Sequence, residues 1–170
     1  STFIKKTFNL FDLYAIVDNP AEKIPGISLN EKKKLIFPNL KPHPSIAFDP
    51  QIKKDIDVSF VGRIDSYRDY RKKYIDALKE LDHLNIYIFT DYKDRVLSFV
   101  DLANIINRSK IGISFSMSVD FDQIKGRVFE TLQGGALLLD TPNDQNSVIF
   151  DDGKHYDTFA SIEELIFKVK

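Results

Sequence analysis

An α/β sandwich on a parallel sheet is the fold class this sequence predicts, on three observations. From Asp57 onward, short apolar runs alternate with stretches of helical periodicity. The runs are rich in Val, Ile, Leu and Phe, as strands buried on both faces are. The chain has 170 residues, 43% of them hydrophobic and 29% charged, which suffices for one core without disulfide or metal staples.

Each element can be justified in turn. Val58-Ser59-Phe60-Val61, closed by Gly62, reads as a first buried strand. Tyr70, Tyr74, Ile75, Leu78 and Leu81 recur at helical spacing and predict an amphipathic helix over about 68–82. Asn85 to Phe89 is a second strand. Ser98, followed three residues on by Asp101, has the form of a capping box opening a helix through Leu102, Ile105 and Ile106. Ile111 to Phe115 is a third strand. Ile124, Val128, Phe129 and Leu132 predict another helix, stopped by Gly134-Gly135. Ala136 to Leu139 is a fourth strand, a helical turn over about 143–150 follows, and His155 to Phe159 is a fifth strand. Ser161 with Glu164 is a second box, before Ile162, Leu165, Ile166 and Val169. Alternation of this kind implies crossover connections and a Rossmann-like three-layer arrangement, with a ligand at the carboxyl ends of the strands. Three such ends are Gly62-Arg63, Thr90-Asp91 and Ser116 to Asp122.

Residues 1–54 read differently from residues 55–170. They hold six of the seven prolines and the charged run Glu31 to Lys34, and read as a linker or the edge of a neighbouring domain. Two apolar runs there, Phe8 to Val17 and Leu35 to Phe37, are two strands or a strand and a helix. The start, Ser1 to Lys6, has neither a signal-peptide core nor an initiator Met, as expected of a piece of a longer chain.

Several function classes lose support at this stage. The formal net charge is -1, so nucleic acid is not an expected partner. Absence of Cys removes thiolate metal sites and cysteine nucleophiles. Asp120-Phe121-Asp122 and Asp55-Ile56-Asp57 both spell D-x-D, a pattern too short to establish a metal site. His43, His83 and His155 are scattered, and no G-x-S-x-G, G-x-G-x-x-G or Walker loop occurs. Tyr67, Tyr70 and Tyr74 read as helix packing, and Arg68, Arg71, Lys72 and Lys73 as a solvated basic face.

The segment Asp122 to Gly135 is the richest in chemistry. On a helical wheel, Ile124, Val128 and Leu132 share one face, with Phe129 at its border. Gln123, Arg127 and Glu130 fall opposite, with Gly126 and Gly134 among them. A helix opening near Gln123 just after a strand would direct its free N–H groups at a phosphate, while the carboxylate farther in could accept hydrogen bonds from a ribose diol. The plainer reading is a solvated i,i+3 ion pair of Arg127 with Glu130.

Lys125-Gly126-Arg127-Val128-Phe129-Glu130-Thr131-Leu132-Gln133-Gly134-Gly135, running into Ala136-Leu137-Leu138-Leu139, resembles the donor-site segment of GT-B glycosyltransferases. The likeness is to the group-1-like branch that includes spore-maturation-type transferases. Val61-Gly62-Arg63 resembles that family's glycine-arginine after the first strand of the donor domain. Ile149 to Lys154 and Ser161 to Leu165 resemble its closing pattern.

The resemblance implies one half of a GT-B fold, with residues 55–170 as the nucleotide-sugar donor-binding domain and residues 1–54 at the edge of the acceptor-binding domain. Glu130 would hold the ribose hydroxyls, and Arg63 and Arg127 would face the diphosphate, with Gly62, Gln123, Lys125 and Gly126 completing the donor site. Retaining members often carry an acid eight residues before the glutamate, near the donor sugar. Asp122 stands at that place, as Asp rather than Glu, so the catalytic roles fall on Asp122 and Arg127. The implied reaction moves a sugar from a nucleoside-diphosphate donor to an acceptor, with no metal and no cofactor. The implied location is the cytoplasm, with peripheral membrane association of the full-length protein. The competing reading is a non-catalytic α/β nucleotide-binding or regulatory module, a degenerate transferase.

Overall fold

The computed structural model describes residues 14–16, 34–36, 44–90, 96–116 and 124–170. Two short strands, β1 (Tyr14–Ile16) and β2 (Lys34–Ile36), pair in parallel. Both apolar runs of the amino-terminal region thus contain a strand.

The main sheet has five strands: β3 (Ile56–Val61), β4 (Ile86–Phe89), β5 (Ser109–Ile113), β6 (Leu137–Asp140) and β7 (Asp157–Thr158). Their order is β4-β3-β5-β6-β7, and every pair is parallel. Four helices connect and close the strands: α1 (Lys72–Lys79), α2 (Phe99–Arg108), α3 (Gly126–Gln133) and α4 (Ile162–Val169). This is the Rossmann-like three-layer α/β arrangement the alternation predicts.

Side-chain alternation separates two packed layers. Val58 and Phe60 of β3, Ile113 of β5 and Leu139 of β6 meet Tyr74, Ile75 and Leu78 of α1 and Leu165 and Val169 of α4. Phe115 is the aromatic hub of this layer: Phe60, Tyr74 and Phe159 all stand within 5.7 Å of its ring centroid, edge to face. On the other face, Leu102, Ile105 and Ile106 of α2 cover Val61 and Phe89, while Val128 of α3 packs on Leu138 and Tyr156. Ile46, fully buried, joins the α2 layer from a 3-10 turn at Pro44–Ile46.

The element boundaries follow local chemistry. Ser98 and Asp101 close a reciprocal capping box at α2. At α4, Ser161 accepts the Glu164 N–H at 3.1 Å, but the Glu164 carboxylate takes the N–H of Ala160, so the reciprocal half is displaced by one residue. The helix predicted over 68–82 opens instead as a 3-10 turn, Ser66–Arg71, because Arg71 is tied to two strand ends rather than left on a basic face. Lys72 and Lys73 do lie on the exposed side, Lys72 paired with Asp76 at 2.5 Å. The fifth strand is only two residues long, since a turn at Gly153 (φ 73°) and the bridge Asp152–Tyr156 occupy the preceding chain.

Candidate functional site

Strand order reverses direction between β3 and β5: the chain leaves β3 toward β4 on one side and returns through α2 to β5 on the other. In open α/β sheets, ligands bind outside the carboxyl ends at such a switch point. Here those ends are Val61-Gly62-Arg63 and Ile113 to Ser116. Gly62 donates its N–H to Phe89 O at 3.0 Å, and a Cβ there would press on the tip of the Phe60 ring at 2.8 Å. Arg63 follows it with an exposed side chain.

A residue outside the predicted site joins these two ends. Arg71 donates to Arg63 O at 3.1 Å and to Phe115 O at 3.0 Å, and its guanidinium lies over the Phe115 ring, 5.4 Å from the centroid. Its flanking Tyr70 also packs edge-on against Phe115, and the Arg71 guanidinium lies 5.6 Å from the Tyr70 ring centroid, so Tyr70 and Arg71 hold the two ends together.

Helix α3 follows the switch-point strand β5. It opens at Gly126, with extended Lys125 in the N-cap position, rather than near Gln123. Lysine has no side-chain acceptor, so the N-cap residue cannot occupy the first-turn N–H groups as Ser or Asp would. The helix ends in a Schellman motif: the Ala136 N–H donates to Thr131 O at 3.2 Å and the Gly135 N–H to Leu132 O at 3.1 Å, with Gly135 at φ 69°. That confirms the stop at Gly134-Gly135.

Arg127 and Glu130 do not lie free on the helix face opposite the core. Arg127 Nη1 stands 2.8 Å from Glu130 Oε2, and the two side chains are only 21% and 18% exposed. Nη1 itself is fully enclosed, and its approach to the carboxylate falls outside hydrogen-bond angles, so the contact is a charge pair. It is therefore neither the open polar face nor the solvated pair that periodicity allows.

The sheet explains this burial. Ser59 of β3 pairs in register with Gly112 of β5, leaving a shallow dent beneath α3. Thr131 fills it so closely that a Cβ on Gly112 would meet Thr131 Cγ2 at 2.6 Å. Beside it remains a cavity of about 10 Å³, lined by Ser59, Val61, Gly112, Ile113, Arg127 and Thr131 among others. That space holds roughly one water, not a nucleotide. Val61 and Ile113 are the last residues of β3 and β5, so the cavity that Arg127 lines lies at the switch point.

A second buried polar group underlies the same strand ends. Asp140, at the end of β6, accepts the Ser116 N–H at 2.8 Å, the Thr141 N–H at 2.8 Å, the Asn146 amide at 3.0 Å and the Ser116 hydroxyl. Burial pushes its carboxyl above the ordinary 3.8, against the pull of those four donors. Ser116 is thereby fixed where the chain leaves β5. Nothing in the sequence marks this role: Leu137-Leu138-Leu139-Asp140 reads as a strand with a polar end.

Asp122 and Gln123, and with them the D-x-D at Asp120 to Asp122, lie outside the described residues, as do His43, Asp91, Tyr92 and Ser118. Among the described residues, no three His, Asp or Glu side chains gather as metal ligands would. Among the same residues, no helix is long and apolar enough to cross a membrane.

A parallel sheet with a strand-to-helix junction at its switch point places the chain among the Rossmann-like α/β folds. The family model described as "Glycosyl transferase-like" matches residues 68–170, and the chain belongs to that family. Among solved structures, one described as "Crystal structure of GtfA/B complex" superimposes with a TM-score of 0.63 at 13% identity. The superposition covers 99% of this chain and 40% of that one. At that identity the likeness is one of fold, that of a GT-B half. No curated protein matches.

Proposed function

We propose that this chain is the nucleotide-sugar donor-binding domain of a glycosyltransferase. The observation that carries the reading is the junction at the switch point: α3 opens there without an acceptor at its N-cap and carries, one turn in, a glutamate already held by an arginine. Family membership directs that geometry to sugar transfer.

In this reading the donor diphosphate lies between Gly62-Arg63 and the opening of α3, where Lys125, the Gly126 N–H and the helix dipole supply positive charge. Gln123 and Arg127 are assigned to the same donor subsite and Asp122 to the donor sugar. Glu130 accepts hydrogen bonds from the ribose hydroxyls. The bond from the anomeric carbon to the diphosphate oxygen breaks, and a bond to an acceptor oxygen forms. The acceptor proton passes to a base, and the nucleoside diphosphate leaves with its growing charge stabilised by fixed donors. No metal is required. The acceptor site, and the base with it, belong to a second Rossmann-like domain. The full-length enzyme works in the cytoplasm, peripheral to the membrane where its acceptor is a lipid.

Calorimetric titration with UDP, GDP and their sugars tests the reading. Saturable binding is expected for one base, weakened about tenfold or more in Arg63→Ala and in Glu130→Ala, the loss corresponding to one charge-assisted hydrogen bond. No heat with any of these nucleotides would overturn it. Binding that survives in both variants would favour the regulatory module instead.

A further inference from the structure

We infer that Arg127 is a positioning residue that sets the carboxylate of Glu130, and through it the recognition of the ribose, rather than a ligand of the diphosphate. This rests on the donor-domain reading above and reassigns one of its residues.

Three observations carry it. The guanidinium is already engaged, with Nη1 at 2.8 Å from Glu130 Oε2. That nitrogen has no exposed surface, so a phosphate oxygen does not reach it while the pair with Glu130 is in place. And Arg127 lines the small cavity beside Thr131, with Ser59 and Gly112 of the sheet and with Val61 and Ile113, the last residues of β3 and β5.

Both side chains are about four-fifths buried, and the i,i+3 arginine holds a positive charge at a fixed distance from the carboxylate. The pairing engages Oε2, and Oε1 is the oxygen assigned to the ribose in this inference. A carboxylate is a better ribose ligand when it is held in one rotamer. Arg127 meets that condition, while the diphosphate is left to Arg63, Lys125 and the α3 opening.

The experiment compares UDP with 2′-deoxy-UDP, and GDP with 2′-deoxy-GDP, by calorimetry on the full chain and on Arg127→Met and Arg127→Lys. Wild type is expected to favour the ribonucleotide by roughly tenfold or more, the worth of one charge-assisted hydrogen bond to the 2′-hydroxyl. Arg127→Met should abolish that preference while its affinity for the deoxynucleotide stays within about twofold of wild type. Arg127→Lys should retain part of the preference. Each preference is a ratio within one protein, so a reduced folded fraction does not alter it. If Arg127→Met fails to fold, the Lys variant decides, by a lowered ratio with deoxynucleotide affinity kept.

Equal loss of affinity for ribo- and deoxynucleotides in a variant of unchanged melting temperature would overturn the inference and return Arg127 to the phosphates. An unchanged ratio would overturn it as well. Binding without ribose preference in wild type would defeat it while leaving a donor domain standing, whereas absence of all nucleotide binding would remove that reading and this one together.

Discussion

Gly112 shows how one missing side chain shapes the site. Thr131 presses closest on its α3 face, at a separation no Cβ could occupy, with Cγ2 at 2.6 Å and Oγ1 at 3.1 Å from the position a Cβ would take. The close approach of helix to strand seats Thr131 and leaves a small cavity beside it that Arg127 lines. Gly112→Ala is expected to destabilise by about 1–3 kcal/mol through overpacking. Thr131→Ala removes the obstructing atoms, so the double variant should recover most of the loss that Gly112→Ala adds. Urea denaturation of the four proteins gives the coupling energy. Additive losses would show that Gly112 is constrained by something other than Thr131.

The elements were legible where backbone chemistry is local. Ser98 with Asp101, and Gly134-Gly135, announce a start and a stop through hydrogen bonds spanning only a few residues, and both stand in the structure. Legibility ends where a distant partner decides. Arg71 belongs to a helical period in sequence, yet Phe115, 44 residues away, draws its guanidinium and the lead-in becomes a 3-10 turn. Arg127 and Glu130 are polar by type and lie opposite Val128 on a wheel. Only the register that brings Ser59 beside Gly112 reveals that the sheet has room for them.

Asn107 is a further long-range case, at the end of α2. Its Oδ1 accepts the Asp49 N–H at 2.9 Å, and its Nδ2 donates to Ala47 O at 3.2 Å and Ala103 O at 3.1 Å. Lys54 closes the same helix end from the same segment, donating to Asn107 O and Ser109 O. Asn107→Ala should cost about 1–3 kcal/mol, since it removes the three hydrogen bonds made by one buried side chain. Amide hydrogen exchange is the sharper measurement. Protection is expected to fall at Asp49 while the amides of β3 keep theirs, and uniform loss across the sheet would mean that α2 itself had failed.

At the scale of the whole molecule, two populations of carboxylates oppose each other as pH falls. Asp55, Asp57 and Asp76 are held below the ordinary 3.8 by hydrogen bonds from Arg108, Lys110 and Lys72. The unfolded chain takes up these protons first, so the stability they contribute is present above about pH 4 and fades as pH drops through their lowered values. Asp140 runs the other way. Burial raises its value, the native state takes up the proton first, and its contribution grows as pH falls toward 3.8. Urea midpoints measured from pH 7 to pH 3 should therefore drop at the acid end. The advantage of wild type over Asp140→Asn should widen on the way down, because only wild type gains a proton at that site. Salt separates the two groups: the exposed pairs are screened at 1 M and the acid loss they cause should shrink, whereas the widening tied to buried Asp140 should persist. A gap that narrowed with acid would show that the four donors around Asp140 outweigh its burial. The floor beneath Ser116 would then be a stably ionised carboxylate rather than one poised to take a proton.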